Sequence, residues 1–374
     1  MALGEGREDG AVTTVPGRRA AAHRRTTGLV WAAALLAATA VCALVVVAVG
    51  SVARVPASGQ PALDVRVSWF LPAARLVTDL AAGVTVGCLV AAAVLLPGKG
   101  TVSAAAYRWL RASTWSALAW ALAGAAAMPG LLVEFLNTDL TQVSAPGLLA
   151  FVRDIPAGRA QAASVLLVAA VAVGSRWVLT TAGARILLVL ALVAVAPPSI
   201  AEFAEAGGTT AQVATAATGM VLHVLGSLAW FGALVALLLV RLHRNDLVTA
   251  VRRYSRAAPA LVVVVAASGL LTAAVELGAS RAWVDTAFGR LVLLKALALA
   301  ALAALGWWHR RRTLPTLTTG EAGAFRRIAA VEVVLFAATV GLAVGLSRTP
   351  APELGVETGD MAAGARTFSA VGGQ

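Results

Sequence analysis

His223 and Met220 lie three residues apart within a long apolar run, a spacing that puts imidazole and thioether on one face of a helix. Together they suit Cu(I), a soft ion. Two donors do not complete a metal site, and a single intramembrane histidine serves equally well as an inter-helix hydrogen bonder. Residue type alone leaves both roles open. Carboxylates collect where neighbouring apolar runs end on one side: Glu134, Asp139, Glu202, Glu205, Glu276 and Asp285. They would form a cation-attracting vestibule or simply solvated caps.

Four further charged residues interrupt apolar runs. A charge at mid-bilayer costs about 2.5–3.5 kcal/mol on insertion scales and tends to mark function. Arg75 and Asp79 are four apart, so they share a helical face and pair with each other. Lys295 and Glu332 fall in successive runs, at depths that differ by about 10 Å for a rise of 1.5 Å per residue. Either an inter-helix contact or a proton relay would account for them.

The elements that carry these residues are nine apolar stretches, at 28–50, 69–96, 107–133, 158–175, 183–200, 212–240, 257–277, 286–308 and 327–346. Each approaches the roughly 20 residues that cross a hydrocarbon core. The fourth and fifth are short, which suggests a tilted, broken or re-entrant segment. The expected fold class is all-α: a polytopic transmembrane bundle of about nine spans. The composition agrees, with 59% hydrophobic and 13% charged residues, against about 25% charged in soluble domains.

The net charge of +12 does not point to nucleic acid, because its distribution follows the membrane. With the N-terminus inside, 20 of the Lys and Arg residues fall on the inner side and nine on the other. That is the positive-inside bias, giving N-in, C-out, with anionic lipid as the natural contact. On this layout His23, His243 and His309 belong to basic cytoplasmic segments, and His223 is the one histidine placed in a span. Residues 1–27 form a basic cytoplasmic tail before an uncleaved anchor, since the first span exceeds a signal-peptide core. Spans fill 28–196 and 197–350, and 351–374 is expected to be a disordered external tail. Leu148–Val152 suggests a short interfacial helix. Gly83/Gly87 and Gly341/Gly345 offer small-residue faces for close helix packing.

Cys42 and Cys88 both fall in spans and read as apolar fillers rather than a disulfide framework. Two lysines against 28 arginines, with abundant Ala, Val and Gly, suggest a GC-rich bacterium and hence its plasma membrane. No P-loop, HExxH, CxxC or GxSxG motif occurs in a usable context, so no enzymatic activity is expected. One membrane histidine does not supply the paired axial ligands common for transmembrane haem. A haem-binding electron carrier using His and Met ligands stays open as an alternative.

From Pro197 to Pro350 the order of segments resembles the copper resistance protein D family of bacterial inner-membrane proteins. The blocks are His223-Val-Leu-Gly-Ser-Leu-Ala-Trp230-Phe-Gly232, Tyr254-Ser255-Arg256 followed by Ser268-Gly269-Leu270, Phe288-Gly289-Arg290 leading to Lys295 and Arg310-Arg311-Arg312, and Glu332 in the last span. The resemblance implies copper transport or copper resistance, with a copper ion as the bound species. It also implies a small periplasmic copper-binding protein as partner. His223 is then the metal contact and Met220 its helper, while Arg75, Asp79, Trp230, Lys295 and Glu332 are structural or gating residues. Relatives commonly carry Gly-His soon after the Pro-Pro at Pro197-Pro198. Here the stretch reads Ser199-Ile-Ala-Glu202-Phe203 with no histidine before Gln212. Glu202 and Glu205 would have to replace those histidines, and carboxylates are poor Cu(I) ligands. A non-transporting accessory protein for copper delivery to a respiratory oxidase assembly factor is therefore the runner-up.

Overall fold

A computed structural model describes residues 16–49, 65–204, 209–240, 242–278, 280–319 and 322–349. The start of the basic tail, the loop through residue 64, Glu205 and the C-terminal tail lie outside the described residues. The helices are α1 (Pro16–Ala48), α2 (Val65–Val90), α3 (Ala104–Leu136), α4 (Ala145–Asp154), α5 (Pro156–Trp177) and α6 (Thr181–Ala204). They continue with α7 (Thr210–Leu239), α8 (Arg244–Leu277), α9 (Ala282–Asp285), α10 (Ala287–Thr319) and α11 (Ala322–Ser347). Among the described residues no strand is present, and nine helices are long and apolar enough to cross a membrane. Their outward faces are covered with large apolar side chains, such as Leu36, Leu166, Val263 and Leu297. Water would not tolerate so much contiguous apolar surface; acyl chains would.

The fourth and fifth spans, short in the sequence, are unbroken helices of 22 and 24 residues. Neither is re-entrant. Pro197 and Pro198 sit inside α6 without ending it, as neighbouring helices allow in a membrane bundle. The expected interfacial helix is α4, capped by Ser144 accepting from the Gly147 amide. The start of α7 carries a capping box, in which Thr209 and Gln212 satisfy each other's backbone amides. At its far end α2 loosens into a π turn, Ala91–Leu95. There Arg253 of α8 donates to the Val94 and Leu95 carbonyls at 3.1 and 3.0 Å, closing carbonyls that a helix C-terminus leaves bare.

Small residues set how closely the helices approach. Gly83 and Gly87 of α2 lie against Gly232 of α7, where a Cβ on Gly87 would overlap the Gly232 backbone. Gly341 of α11 packs on the Ala38 backbone of α1, and Gly345 on Val45. Both faces expected from the sequence are therefore helix contacts. Hydrogen bonds fasten the same core: Trp109 of α3 donates to the Ala236 carbonyl of α7 at 2.9 Å, and Thr85 of α2 donates to Ser116 of α3 at 2.8 Å. These contacts fix α7 as the central helix. It packs on α2, α6 and α8, and it carries His223.

The loops divide the bundle into a basic end and an acidic end. The α3 start, the α5–α6 turn, the α7–α8 loop and the arginines of α10 and α11 mark the first. Glu202, Glu276 and Asp285 mark the second.

Candidate functional site

His223 sits midway along α7 and is half-buried. Its Nδ1 lies 2.9 Å from the Val265 carbonyl of α8. A carbonyl only accepts, so Nδ1 carries the hydrogen and donates it. In the neutral ring the lone pair then belongs to Nε2. Metal-binding histidines are held in the same way, by a carbonyl or carboxylate on the other nitrogen. The absence of a side chain at Gly269 makes room for the ring: a Cβ there would sit 2.9 Å from Nδ1 and 3.0 Å from Cε1.

Met220 lies one turn nearer the acidic end and packs among Phe203, Ala216, Ala217, Val213 and Val275. Its surroundings are apolar. Beside this region charged residues from four other helices converge. Arg75 Nε is 3.4 Å from Asp79 Oδ1, within α2, and Arg75 Nη2 is 3.9 Å from Glu202 Oε2 of α6. Lys295 of α10 has Asp79, Glu276 and Glu202 as its electrostatic neighbours, and His223 also feels its charge. Helices α2, α6, α8 and α10 thus bring three carboxylates and the basic Arg75 and Lys295 into one region beside α7.

Two sequence-based expectations change here. Arg75 and Asp79 are not a self-contained pair, because Glu202 joins them. Of the five end-of-span carboxylates among the described residues, Glu202 and Glu276 reach this centre. Glu134 pairs instead with Arg348 at 2.8 Å, Asp139 and Asp285 are exposed, and Glu205 lies outside the described residues. Among the described residues, no group of three or more His, Cys, Asp and Glu side chains is arranged to hold a metal ion.

Lys295 and Glu332 do not pair. Glu332 of α11 meets His309 of α10, with Nδ1 to Oε1 at 2.9 Å and both side chains 7% exposed. His309 is therefore buried in the bundle and lies within a span, not in a solvated cytoplasmic segment. The arginines that follow it misled the sequence assignment. Arg311 and Arg312 turn back over Trp307 and Trp308, with centroid distances of 4.0 and 6.0 Å, as cation–aromatic pairs do at membrane interfaces. The signal for His309 was a seven-residue repeat. Phe288, Lys295, Leu302 and His309 run down one face of α10, and that face is turned into the bundle. Trp230 joins α7 to α11: its ring meets Phe336 edge-on at 5.1 Å.

The fold defines a multi-pass helical membrane protein with a half-exposed polar centre between its spans. Residues 248–346, covering α8 to α11, match the family model described as copper resistance protein D. The match supports the family assignment suggested by the sequence blocks, and it contains Val265, Gly269, Lys295, His309 and Glu332. His223, on α7, lies outside the matched stretch, 25 residues before its start. No curated protein and no solved structure matches the chain.

Proposed function

We propose that this protein handles copper in a bacterial plasma membrane and passes the ion between the two faces of the bundle. Its acidic end would face the periplasm and its basic end the cytoplasm, following the arginine distribution. The observation that carries the proposal is the His223–Val265 hydrogen bond beside the carboxylate centre. It commits Nδ1 and leaves Nε2 as the donor atom for a soft ion. The copper resistance protein D match to the adjoining helices supports the choice of metal.

In this scheme Asp79, Glu202 and Glu276 draw cations toward the bundle. Arg75 holds Asp79 and Glu202, and Lys295 adds a basic group near them. An arriving ion would compete with the Arg75 pairs, which links binding to the relative positions of α2 and α6. Met220, one turn toward the acidic end, is the second soft donor along the route. Glu202 acts as an attracting charge rather than a Cu(I) ligand, because hard carboxylates suit that ion poorly.

Proteoliposomes holding the full chain are expected to accumulate Cu(I), and His223→Ala is expected to reduce uptake to the level of protein-free vesicles. Equal uptake by wild type and variant would remove His223 from the route. A second reading is an accessory protein that delivers copper to respiratory-oxidase assembly without conducting it. The lack of a three-residue metal cluster among the described residues favours it. Copper bound by the protein with no uptake into proteoliposomes would select that reading.

A further inference from the structure

Among the described residues, the most enclosed ionisable pair lies away from His223. His309 and Glu332 meet at 2.9 Å between α10 and α11, with both side chains 7% exposed and both helices spanning the membrane. We propose that this pair is a proton-exchange site near the basic end of the bundle, through which proton movement is coupled to passage of the cargo ion. The cargo part rests on the copper-handling function proposed above; the exchange itself does not.

Ionisable side chains within spans are costly, and paired His and Glu residues there commonly form proton relays. In its basic form the pair holds one proton, on Nδ1, between a neutral imidazole and a carboxylate, for a net charge of −1. Taking up one more proton from the aqueous phase at the basic end gives imidazolium beside carboxylate, with no net charge. Releasing that proton restores the first form. Each cycle moves one proton and no other atom.

Among the described side chains, the fixed charges of the neighbouring helices are engaged elsewhere or exposed. On α10, Arg310 follows His309 directly but donates to the Ser255 carbonyl of α8 at 3.0 Å. Arg311 and Arg312 lie over their tryptophans, and Lys295 belongs to the carboxylate centre. From α8, Tyr254 is the ionisable neighbour of Glu332, while Arg253 is spent on the Val94 and Leu95 carbonyls and Arg252 and Arg256 are exposed. On α11, Arg327 is exposed and Arg326 half-buried, a turn or more from Glu332. The described side chains of α1 bring only Cys42, and α7 brings the neutral Trp230. Phe325 covers the imidazole at a centroid distance of 5.0 Å. The pair thus sits at the level of the interfacial tryptophans, close to water yet closed off from it.

A purely structural strut and an exchange site respond differently to one substitution. In Glu332→Gln the amide oxygen still accepts from Nδ1, so the hydrogen bond and the shape persist while the ionisable carboxyl is lost. The full chain in lipid nanodiscs, without metal, is first examined by pH-difference infrared spectroscopy. The wild type is expected to show carboxyl and imidazole bands that vanish in both Glu332→Gln and His309→Gln. In liposomes with an internal pH dye, added Cu(I) is expected to drive proton flux in the wild type. In Glu332→Gln that flux should fall to the level of protein-free vesicles, while copper binding to the purified variant is retained. Absent pair bands, or undiminished flux in Glu332→Gln, would overturn the proposal. If the wild type binds no copper, the copper function fails on its own, and the metal-free spectra still decide whether the pair exchanges protons.

Discussion

Leucine at position 87 is expected to leave little or no recoverable folded protein. The Gly87 Cα faces the Gly232 backbone, and even a single added carbon would overlap the Gly232 carbonyl. Backbone cannot rotate aside as a flexible side chain can, so α2 and α7 would have to separate. Over-packing a core typically costs about 1–3 kcal/mol, and a backbone obstacle at the central helix belongs above that range. The separation would also pull on α3, which is tied to α2 by Thr85–Ser116 and to α7 by Trp109–Ala236. Membrane yield and the thermal midpoint of detergent-purified protein would report it. Gly28→Leu is the control, because nothing lies within 4 Å of a Cβ there. Equal stability of both variants would contradict this packing.

Alanine at position 269 is expected to separate stability from metal binding. Replacing an interior helix glycine by alanine favours the helix by roughly 0.5–1 kcal/mol. The new methyl, however, would press on His223 at 2.9–3.0 Å and force the ring off the Val265 carbonyl. Losing the partner that orients a metal-binding histidine typically costs about 10–100-fold in affinity. Gly269→Ala is therefore expected to stay folded, the helix gain offsetting part of the roughly 1–3 kcal/mol lost with the hydrogen bond, and to bind copper more weakly by that factor. Titration with a competing Cu(I) chelator measures the affinity. Unchanged affinity would mean that the ring position does not matter to the metal.

The spans were legible because burial in lipid needs length and hydropathy, and both are written along the chain. The glycine faces of α2 and α11 were legible for a similar reason, since close approach needs small residues at helical spacing. The polar partners were not. Glu202 reaches Arg75 across more than a hundred residues of sequence, and nothing local announces that α6 lies beside α2. The acceptor for His223 is a backbone carbonyl, which every residue possesses. His309 was hidden by its neighbours: the three arginines after it imitate a solvated loop, while Trp307 and Trp308 hold two of them at the interface and Arg310 binds the Ser255 carbonyl. Reading the α10 face at every seventh residue would have placed His309 in line with Lys295. Lys295 and Glu332 looked like partners only because their spans are consecutive. In space each has a different counterpart.

The central claim is that the imidazole of His223 binds the cargo metal. X-ray absorption at the copper edge, on purified protein loaded with Cu(I), tests it most directly. The wild type is expected to give an imidazole nitrogen in the first coordination shell that disappears in His223→Ala. The same imidazole signal from the variant, or copper bound without nitrogen in the wild type, would contradict the claim.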